Sequence, residues 1–234
     1  MSDDIFVGLQ KLTLLDFPGY VACTLFTKGC NMRCPFCHNA LLVTDTKSQK
    51  AYKNEEILAF LKKRVGVLDG IAITGGEPTL MPGLKQFIIQ ARELGYKIKL
   101  DTNGTRPAVV RDLVDNGLLD YVAMDVKNCK QRYGETVGFD QGYDLSPIQE
   151  SINYLMEGRV DFEFRTTVSK TFHNEADIVE LAKWISGNEK YFLQQFKDSG
   201  NLIGEGIEPY SEDELRAVFD KILPFVPNAQ LRGI

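Results

Sequence analysis

An apolar run from Tyr20 to Thr27 leads directly into Lys28-Gly29-Cys30-Asn31-Met32-Arg33-Cys34-Pro35-Phe36-Cys37-His38-Asn39, which places three of the chain's five cysteines within eight residues. Any fold open to this chain must supply a buried strand whose end opens into a loop that aims three thiolates at one place. Soft thiolate donors select zinc, copper(I) or iron–sulfur centres over hard cations. A closed structural zinc site takes four ligands. The two other cysteines are isolated, Cys23 within the apolar run and Cys129 far downstream. Two readings stay open at this point. His38 completes a Cys3His zinc site, strained because it follows Cys37 directly rather than after a spacer of about two to four residues. Alternatively the loop holds three irons of a [4Fe–4S] cubane and leaves the fourth iron to a small molecule.

The rest of the chain reads as a succession of buried strands and amphipathic helices. Tyr20–Thr27 is β-branched and aromatic with no clean alternation, the pattern of a strand covered on both faces. Residues 1–19 read as a lead-in punctuated by Phe17-Pro18-Gly19. After the polar stretch Thr44–Lys53, Asn54 can cap a helix carrying Ile57, Leu58, Leu61, Val65 and Leu68. Strands follow at Gly70–Thr74, Tyr96–Leu100, Tyr121–Val126, Val160–Val168 and Tyr191–Phe196. The helices between them carry Leu84, Phe87, Ile88, Ala91 and Leu94, then Val110, Leu113 and Val114 after Pro107, then Ile148, Ile152 and Leu155, then Ile178, Leu181 and Ile185. Ser146-Pro147-Ile148-Gln149 and Ser211-Glu212-Asp213-Glu214 have the form of capping boxes, and Asn174 of a cap. Gln131–Tyr143 reads as a polar loop, and His173 as an exposed loop residue before a helix.

Six strands alternating with five helices predict a parallel α/β system with right-handed crossovers, too few strands for a closed eight-stranded barrel. No repeat or linker divides the chain, so one domain over 1–234 is expected, with 1–19 as its lead-in and 200–234 as a C-terminal extension. A net charge of −5 provides no basic surface for phosphate contacts, which argues against nucleic acid as a partner. No apolar run reaches the length of a membrane span and no export signal opens the chain. An odd cysteine count with a clustered triplet fits a reducing compartment. A cytoplasmic protein with no membrane attachment is the expectation.

Polar groups gather where these strands end, the face at which α/β barrels carry their chemistry. The three cysteines follow the first strand, and Gly75-Gly76-Glu77-Pro78 the second. Asp101, Thr102 and Asn103 follow the third, Asp125 and Lys127 stand near the end of the fourth, and Arg165 lies within the fifth. The Gly75-Gly76 pair matches neither a phosphate loop nor a dinucleotide fingerprint, and is expected to let a ligand's polar end lie close to the backbone.

The spacing of Cys30, Cys34 and Cys37, with Phe36 before the last of them, resembles the signature of radical S-adenosylmethionine (SAM) enzymes. Leu15-Asp16-Phe17-Pro18-Gly19 together with Cys37-His38-Asn39 resembles the glycyl-radical-enzyme activases, and most of all the longer type of anaerobic ribonucleoside-triphosphate reductase activating proteins. The similarity runs from about residue 8 to the C-terminus, where Asn228–Ile234 resembles that group's ending and equally suits an ordinary closing strand.

What the resemblance implies is specific. The fold is an incomplete (β/α)6 barrel of the TIM type. Cys30, Cys34 and Cys37 hold one [4Fe–4S] cluster, and Phe36 packs beside adenine. Gly75, Gly76 and Glu77 meet the amino group of SAM. Asp101, Thr102 and Asp125, with Asn103 beside them, surround a monovalent cation; Lys127 contacts the SAM carboxylate, and Arg165 its polar groups. The implied reaction is reductive cleavage of SAM to a 5′-deoxyadenosyl radical that takes a hydrogen from a glycine of a glycyl-radical enzyme, an anaerobic ribonucleotide reductase. A flavodoxin- or ferredoxin-like protein supplies the electron. Leu193-Gln194-Gln195-Phe196 departs from the pyruvate formate-lyase activases, which carry a histidine in that region. A radical SAM enzyme acting on a modified-base precursor and a zinc-binding interaction module are the alternative readings.

Overall fold

The computed structural model describes residues 5–46, 48–139, 142–188, 190–198 and 200–234. The acidic N-terminus, residues 1–4, lies outside them, as do residues 140–141 of the loop expected over Gln131–Tyr143. One eight-stranded sheet runs in the order of the sequence. Its strands are β1 (Phe6–Thr13), β2 (Ala22–Thr27), β3 (Gly70–Gly75), β4 (Lys97–Thr102), β5 (Tyr121–Asp125), β6 (Asp161–Val168), β7 (Tyr191–Gln195) and β8 (Gln230–Arg232). β1 is antiparallel to β2, and every later pairing is parallel. β1 and β8 are the two free ends, so the ladder does not close into a ring. The structure is a parallel-dominated α/β sheet of the partial-barrel type, with eight strands where the sequence reading expected six.

Helices α1 (Ala40–Thr44) and α2 (Asn54–Lys62) lie between β2 and β3, α3 (Leu84–Glu93) before β4, and α4 (Pro107–Asp115) before β5. Between β5 and β6 come α5 (Tyr133–Thr136) and α6 (Ser146–Met156); α7 (Glu175–Trp184) precedes β7 and α8 (Glu212–Ile222) precedes β8. Several ends follow the expected chemistry. Pro107 opens α4, where a missing N–H costs nothing. The Asn174 and Ser211 side chains accept from the N–H groups of Asp177 and Glu214 in reciprocal capping boxes.

The structure corrects the sequence reading at several other points. The lead-in contains the edge strand β1, whose half-exposed residues hide its periodicity. α2 stops at Lys62 rather than running to Leu68, because Gly66 takes a left-handed conformation beyond it. Asn54 is the first residue of that helix, not its cap. Ser146 does not cap α6 either: Leu145 occupies that position, and the Ser146 N–H and hydroxyl both donate to Asp144 at 2.9 Å. The polar loop after β5 holds the short helix α5, in which Tyr133 is fully buried. The C-terminal residues form the closing strand β8, one of the two readings open for that segment.

The two faces of the sheet differ in kind. Cys23, Leu25, Ile71, Ile73, Ile98, Leu100, Val122, Met124, Phe164 and Leu193 join the helix residues Leu61, Phe87, Ile88, Leu113, Ile152, Leu181 and Leu215 in one apolar core. The opposite, inner face is set by register. Thr24, Ala72, Lys99 and Tyr121 form one row; Asp125, Arg165 and Phe192 a second; Thr167, Gln194 and Arg232 a third. Apart from Tyr121 and Phe192, these rows are small, polar or charged. At the N-terminal end of the inner face lies an apolar plug, in which Phe17 packs with Ala22, Tyr121 and Ala123. A side chain at Gly70 would meet the Phe17 ring at 2.9 Å, which explains a glycine at the start of β3.

Leu15 and Phe17 are neighbours with opposite fates, 90% and 1% exposed respectively. In urea denaturation, Phe17→Ala should lower stability by about 3–5 kcal/mol through the void it leaves, whereas Leu15→Ala should stay within about 0.5 kcal/mol of the parent. Equal effects would show that the plug contributes nothing to the fold.

Candidate active site

The cysteine loop leaves the C-terminal end of β2 and is held by main-chain bonds to four separate parts of the chain. Gly29 donates to the Leu42 carbonyl (2.7 Å), Arg33 to Val137 (2.9 Å), Gly204 to Pro35 (2.8 Å) and Glu77 to Gly29 (2.8 Å). Gly76 lies so close that a Cβ there would stand 1.8 Å from the Gly29 oxygen, and at Gly75, φ +116°, a Cβ would stand 2.4 Å from Thr27 backbone atoms. The space a side chain would take at these two glycines is filled by the chain's own backbone, and both also line the cavity described next. Gly138, φ +84°, and Gly204 close in on Arg33 and Pro35 in the same way.

Around this loop lies a cavity of about 240 Å³. Its walls include every residue singled out above: Cys30, Cys34, Cys37, Phe36, Gly75, Gly76, Glu77, Asp101, Thr102, Asn103, Asp125, Lys127 and Arg165. They come from the C-terminal ends of β2 to β6, which parallel pairing brings side by side. Asn39, Thr74, Thr167 and Gln194 also line it. Sequence reasoning missed these four as site residues. Thr167 and Gln194 are separated in sequence but neighbours in register across β6 and β7, a signal that only the pairing reveals.

Glu77 is 1% exposed. Its carboxylate accepts from the Thr79 N–H (3.0 Å) and hydroxyl, the Thr102 hydroxyl (2.8 Å) and the Asn103 N–H (2.7 Å). Burial raises its pKa and these donors oppose the rise. The carboxylate therefore ties the end of β3 to the end of β4. Asn103 continues the tie: its Nδ2 donates to Asn31 Oδ1 (3.0 Å) and to Cys30 Sγ (3.7 Å).

Beside this knot runs a chain of alternating charges. Lys99 bonds Asp101, Arg165 bridges Asp101 (3.2 Å) and Asp125 (2.9 Å), and Lys127 bonds Asp125 (3.0 Å). Burial opposes ionisation of both carboxyls, but Arg165 with Lys99, and Arg165 with Lys127, outweigh it and hold Asp101 and Asp125 below the usual range. Burial likewise disfavours the Lys127 ammonium, and Asp125 with the nearby thiols more than restores it. Asp101 and Asp125, expected beside a monovalent cation, are thus paired with protein cations, and the Thr102 hydroxyl faces Glu77.

The three thiols differ in setting. Burial pushes Cys34 up to about 12, with Lys127 pulling against it, and raises Cys30, whose sulfur also accepts from the Met32 N–H (3.3 Å). Among the described residues no group of three His, Cys, Asp or Glu side chains is already gathered around one point. The His38 ring packs edge-on against Phe196 at 5.9 Å. Three soft donors on one cavity wall, N–H groups aimed at one sulfur and a cation beside the thiols fit a cubane held at three corners, whose ligands occupy separate irons.

His173 overturns its expected exposure and is fully buried. Its Nε2 lies 2.8 Å from the Lys127 carbonyl and its Nδ1 accepts from the Ser169 N–H at 3.3 Å, so the proton sits on Nε2. Burial lowers its pKa to about 4. Its ring meets Phe36 edge-on at 5.9 Å. One neutral imidazole therefore supports both Lys127 and the aromatic of the cysteine loop. Phe36 is 4% exposed and also contacts Phe172, which makes it a packing element of the loop as well as a wall of the cavity. Among the described residues no helix is long and apolar enough to cross a membrane.

Comparison with known proteins identifies the family and the fold. The sequence profile of the Radical SAM superfamily matches residues 24–185. The Methanocaldococcus jannaschii protein named "Putative glycyl-radical enzyme activating enzyme MJ1227" is 34% identical over 97% of this chain and 95% of its own length. A GTP 3',8-cyclase of Helicobacter pylori is 27% identical over 68% of this chain and 49% of its own length. Among solved structures, Streptococcus suis SuiB bound to S-adenosylmethionine superposes with a TM-score of 0.69 at 16% identity, covering 88% of this chain and 48% of SuiB. A profile spanning most of the chain and a relative matched over nearly its whole length settle the family: this chain belongs to the Radical SAM superfamily.

Proposed function

We propose that this chain is an activating enzyme that generates the radical of a glycyl-radical enzyme, and that its partner is an anaerobic ribonucleotide reductase. As a radical SAM enzyme it employs a [4Fe–4S] cluster and SAM. The observation that carries the reading is the match over nearly the whole length of a relative named for glycyl-radical activation. The GTP cyclase match, by contrast, spans about half of that protein and carries no substrate with it. When bound, the cluster supplies one electron, which splits SAM into methionine and the 5′-deoxyadenosyl radical that takes a hydrogen atom from the glycine Cα.

The chain's own residues bind and orient. Cys30, Cys34 and Cys37 hold the cluster, and Lys127 offers a point charge to the SAM carboxylate. Three of the donors to the Glu77 carboxylate meet Oε1 and one meets Oε2, so Oε2 keeps an acceptor position and, with main-chain oxygen at Gly76, can take the amino group of SAM. Asp101, Asp125, Thr102 and Arg165 form the charged wall that locates the polar end of SAM and any monovalent cation beside it. Phe36 shields the cysteine loop and borders adenine. No nucleophile or general base is required, because the hydrogen moves as an atom and not as a proton.

Anaerobically reconstituted protein, reduced and supplied with SAM and an anaerobic ribonucleotide reductase, should produce a glycyl doublet in EPR together with 5′-deoxyadenosine. SAM cleavage without any doublet would reject the activase reading and leave the family intact. Cys30→Ala, Cys34→Ala and Cys37→Ala should each lose bound iron and abolish 5′-deoxyadenosine formation, while Cys129→Ala should retain most of both.

Lys127→Met should raise the dissociation constant for SAM about tenfold or more by removing the charge opposite the carboxylate, with the iron content unchanged. An unchanged SAM affinity would remove Lys127 from the binding site.

A further inference from the structure

Most polar groups around the cysteine cavity are already engaged. Glu77 and Asn103 join neighbouring strand ends, Asp101 and Asp125 hold Lys99, Arg165 and Lys127, and Asn39 Nδ2 donates to the Gly75 carbonyl at 3.1 Å. The side chains of His38, Thr74, Thr167 and Gln194 make no hydrogen bond among the described residues, and of these only Gln194 is a carboxamide. It is half-buried on the inner face of β7, and among the described residues its carboxamide has no hydrogen-bond partner. Its neighbour Gln195, on the other face, donates to the Tyr210 carbonyl.

Gln194 also lines two cavities at once. One is the cysteine cavity; the other is a polar inner cavity of about 180 Å³, bounded by Asp16 and Pro18 from the turn after β1 and by Arg232 from β8. These two elements belong to the free ends of the sheet. The residue therefore stands where the cofactor cavity meets the gap in the open barrel. A half-buried amide without a partner gains from a ligand that supplies both a donor and an acceptor.

The chemistry of the reaction proposed above says what that ligand is. Glycine has no side chain, so a residue that holds it beside a cofactor has only the flanking peptide groups to grip. A primary carboxamide presents an oxygen acceptor and an N–H donor side by side, the complement of a peptide N–H and C=O. The charged residues of the cavity, Lys127 and Arg165, suit the charged ends of SAM instead. We propose that Gln194 is the substrate-positioning residue: its carboxamide pairs with a main-chain peptide group of the partner's glycine segment and turns the glycine Cα toward the cysteine cavity. The inference rests on the glycyl-radical reading and adds the recognised group, a neutral peptide backbone.

The test uses cluster-loaded, reduced full-length protein with SAM and an anaerobic ribonucleotide reductase carrying glycine deuterated at Cα. The parent should form about one glycyl radical per 5′-deoxyadenosine, with deuterium in the latter. Gln194→Ala, and the volume-conserving Gln194→Met, should raise the KM for the reductase about tenfold, keep the KM for SAM within about twofold, and lose deuterium transfer per SAM cleaved. A parent that forms no doublet overturns the activase reading and this proposal with it. A parent that forms the doublet, with variants of unchanged coupling, overturns the Gln194 assignment alone. So do variants whose KM for SAM rises as much as that for the reductase, since Gln194 would then belong to the cofactor.

Discussion

The arrangement depends on one buried carboxylate. Glu77 joins three segments that are far apart in sequence: the 3-10 turn after β3 through Thr79, the end of β4 through Thr102 and Asn103, and, through its own N–H, the cysteine loop at Gly29. A buried anion is costly unless it is hydrogen-bonded, and here three donors meet Oε1 and one meets Oε2. Removing it would strand those donors, each left unpaired at about 1–3 kcal/mol. It would also free Asn103, whose amide reaches the Cys30 sulfur and Asn31. The geometry of the metal loop is thus inherited from a hydrogen-bond knot outside it. The same knot explains the two glycines before Glu77, because the Gly76 N–H bonds Thr27 and its Cα lies against Gly29, where no side chain has room.

The sheet supports this knot by separating its two faces. All the large aliphatic residues of the parallel strands face the helices, so the stability of the fold is carried outside the barrel. The inner face is left free to hold charge. Lys99, Arg165 and Lys127 meet only two carboxylates, Asp101 and Asp125, so this chain of ion pairs carries one positive charge in excess. The excess lies toward Lys127, next to the thiols. A deeper pair, Arg232 with the buried Glu163 at 3.2 Å, balances itself, and Tyr121 donates to the same carboxylate. The buried Glu77 carboxylate on the wall of the cysteine cavity offsets that excess for the cavity as a whole, so what the ion-pair chain provides is a local positive charge at Lys127, beside the thiols.

Much of this was legible in the chain because parallel strands convert sequence order into spatial adjacency. Residues that follow successive strands must assemble on one rim, which is why Cys30, Glu77, Asp101, Asp125 and Arg165 could be gathered from their places after or within strands. The same logic fails for contacts made by connecting segments. His173 precedes a helix and looks like a surface residue, yet it is buried because Lys127, Ser169 and Phe36 close around it from three elements. β1 was hidden because an edge strand with half-exposed side chains has little hydrophobic period. The structural role of Glu77 was hidden for a related reason. A carboxylate beside two glycines reads as a ligand contact alone until its donors, Thr102 and Asn103 at the end of another strand among them, are located.

The open ladder and the unpaired Gln194 have a common cause. A closed barrel would pair β1 with β8 and shut the inner face behind a continuous wall. Here the antiparallel β1 caps one end and the three-residue β8 the other. Polar residues from both ends, Asp16 and Arg232, border one small cavity. An inner face that stays open must be polar, since apolar rows would attract adventitious chains. Nearly all of its polar groups are therefore locked in pairs. Specificity then belongs to the few groups that are not locked, because a paired charge has already spent its interaction and an unpaired amide has not. On this view the charged chain defines where a cofactor sits, and the neutral, uncommitted side chain at the edge of the gap defines what may approach it.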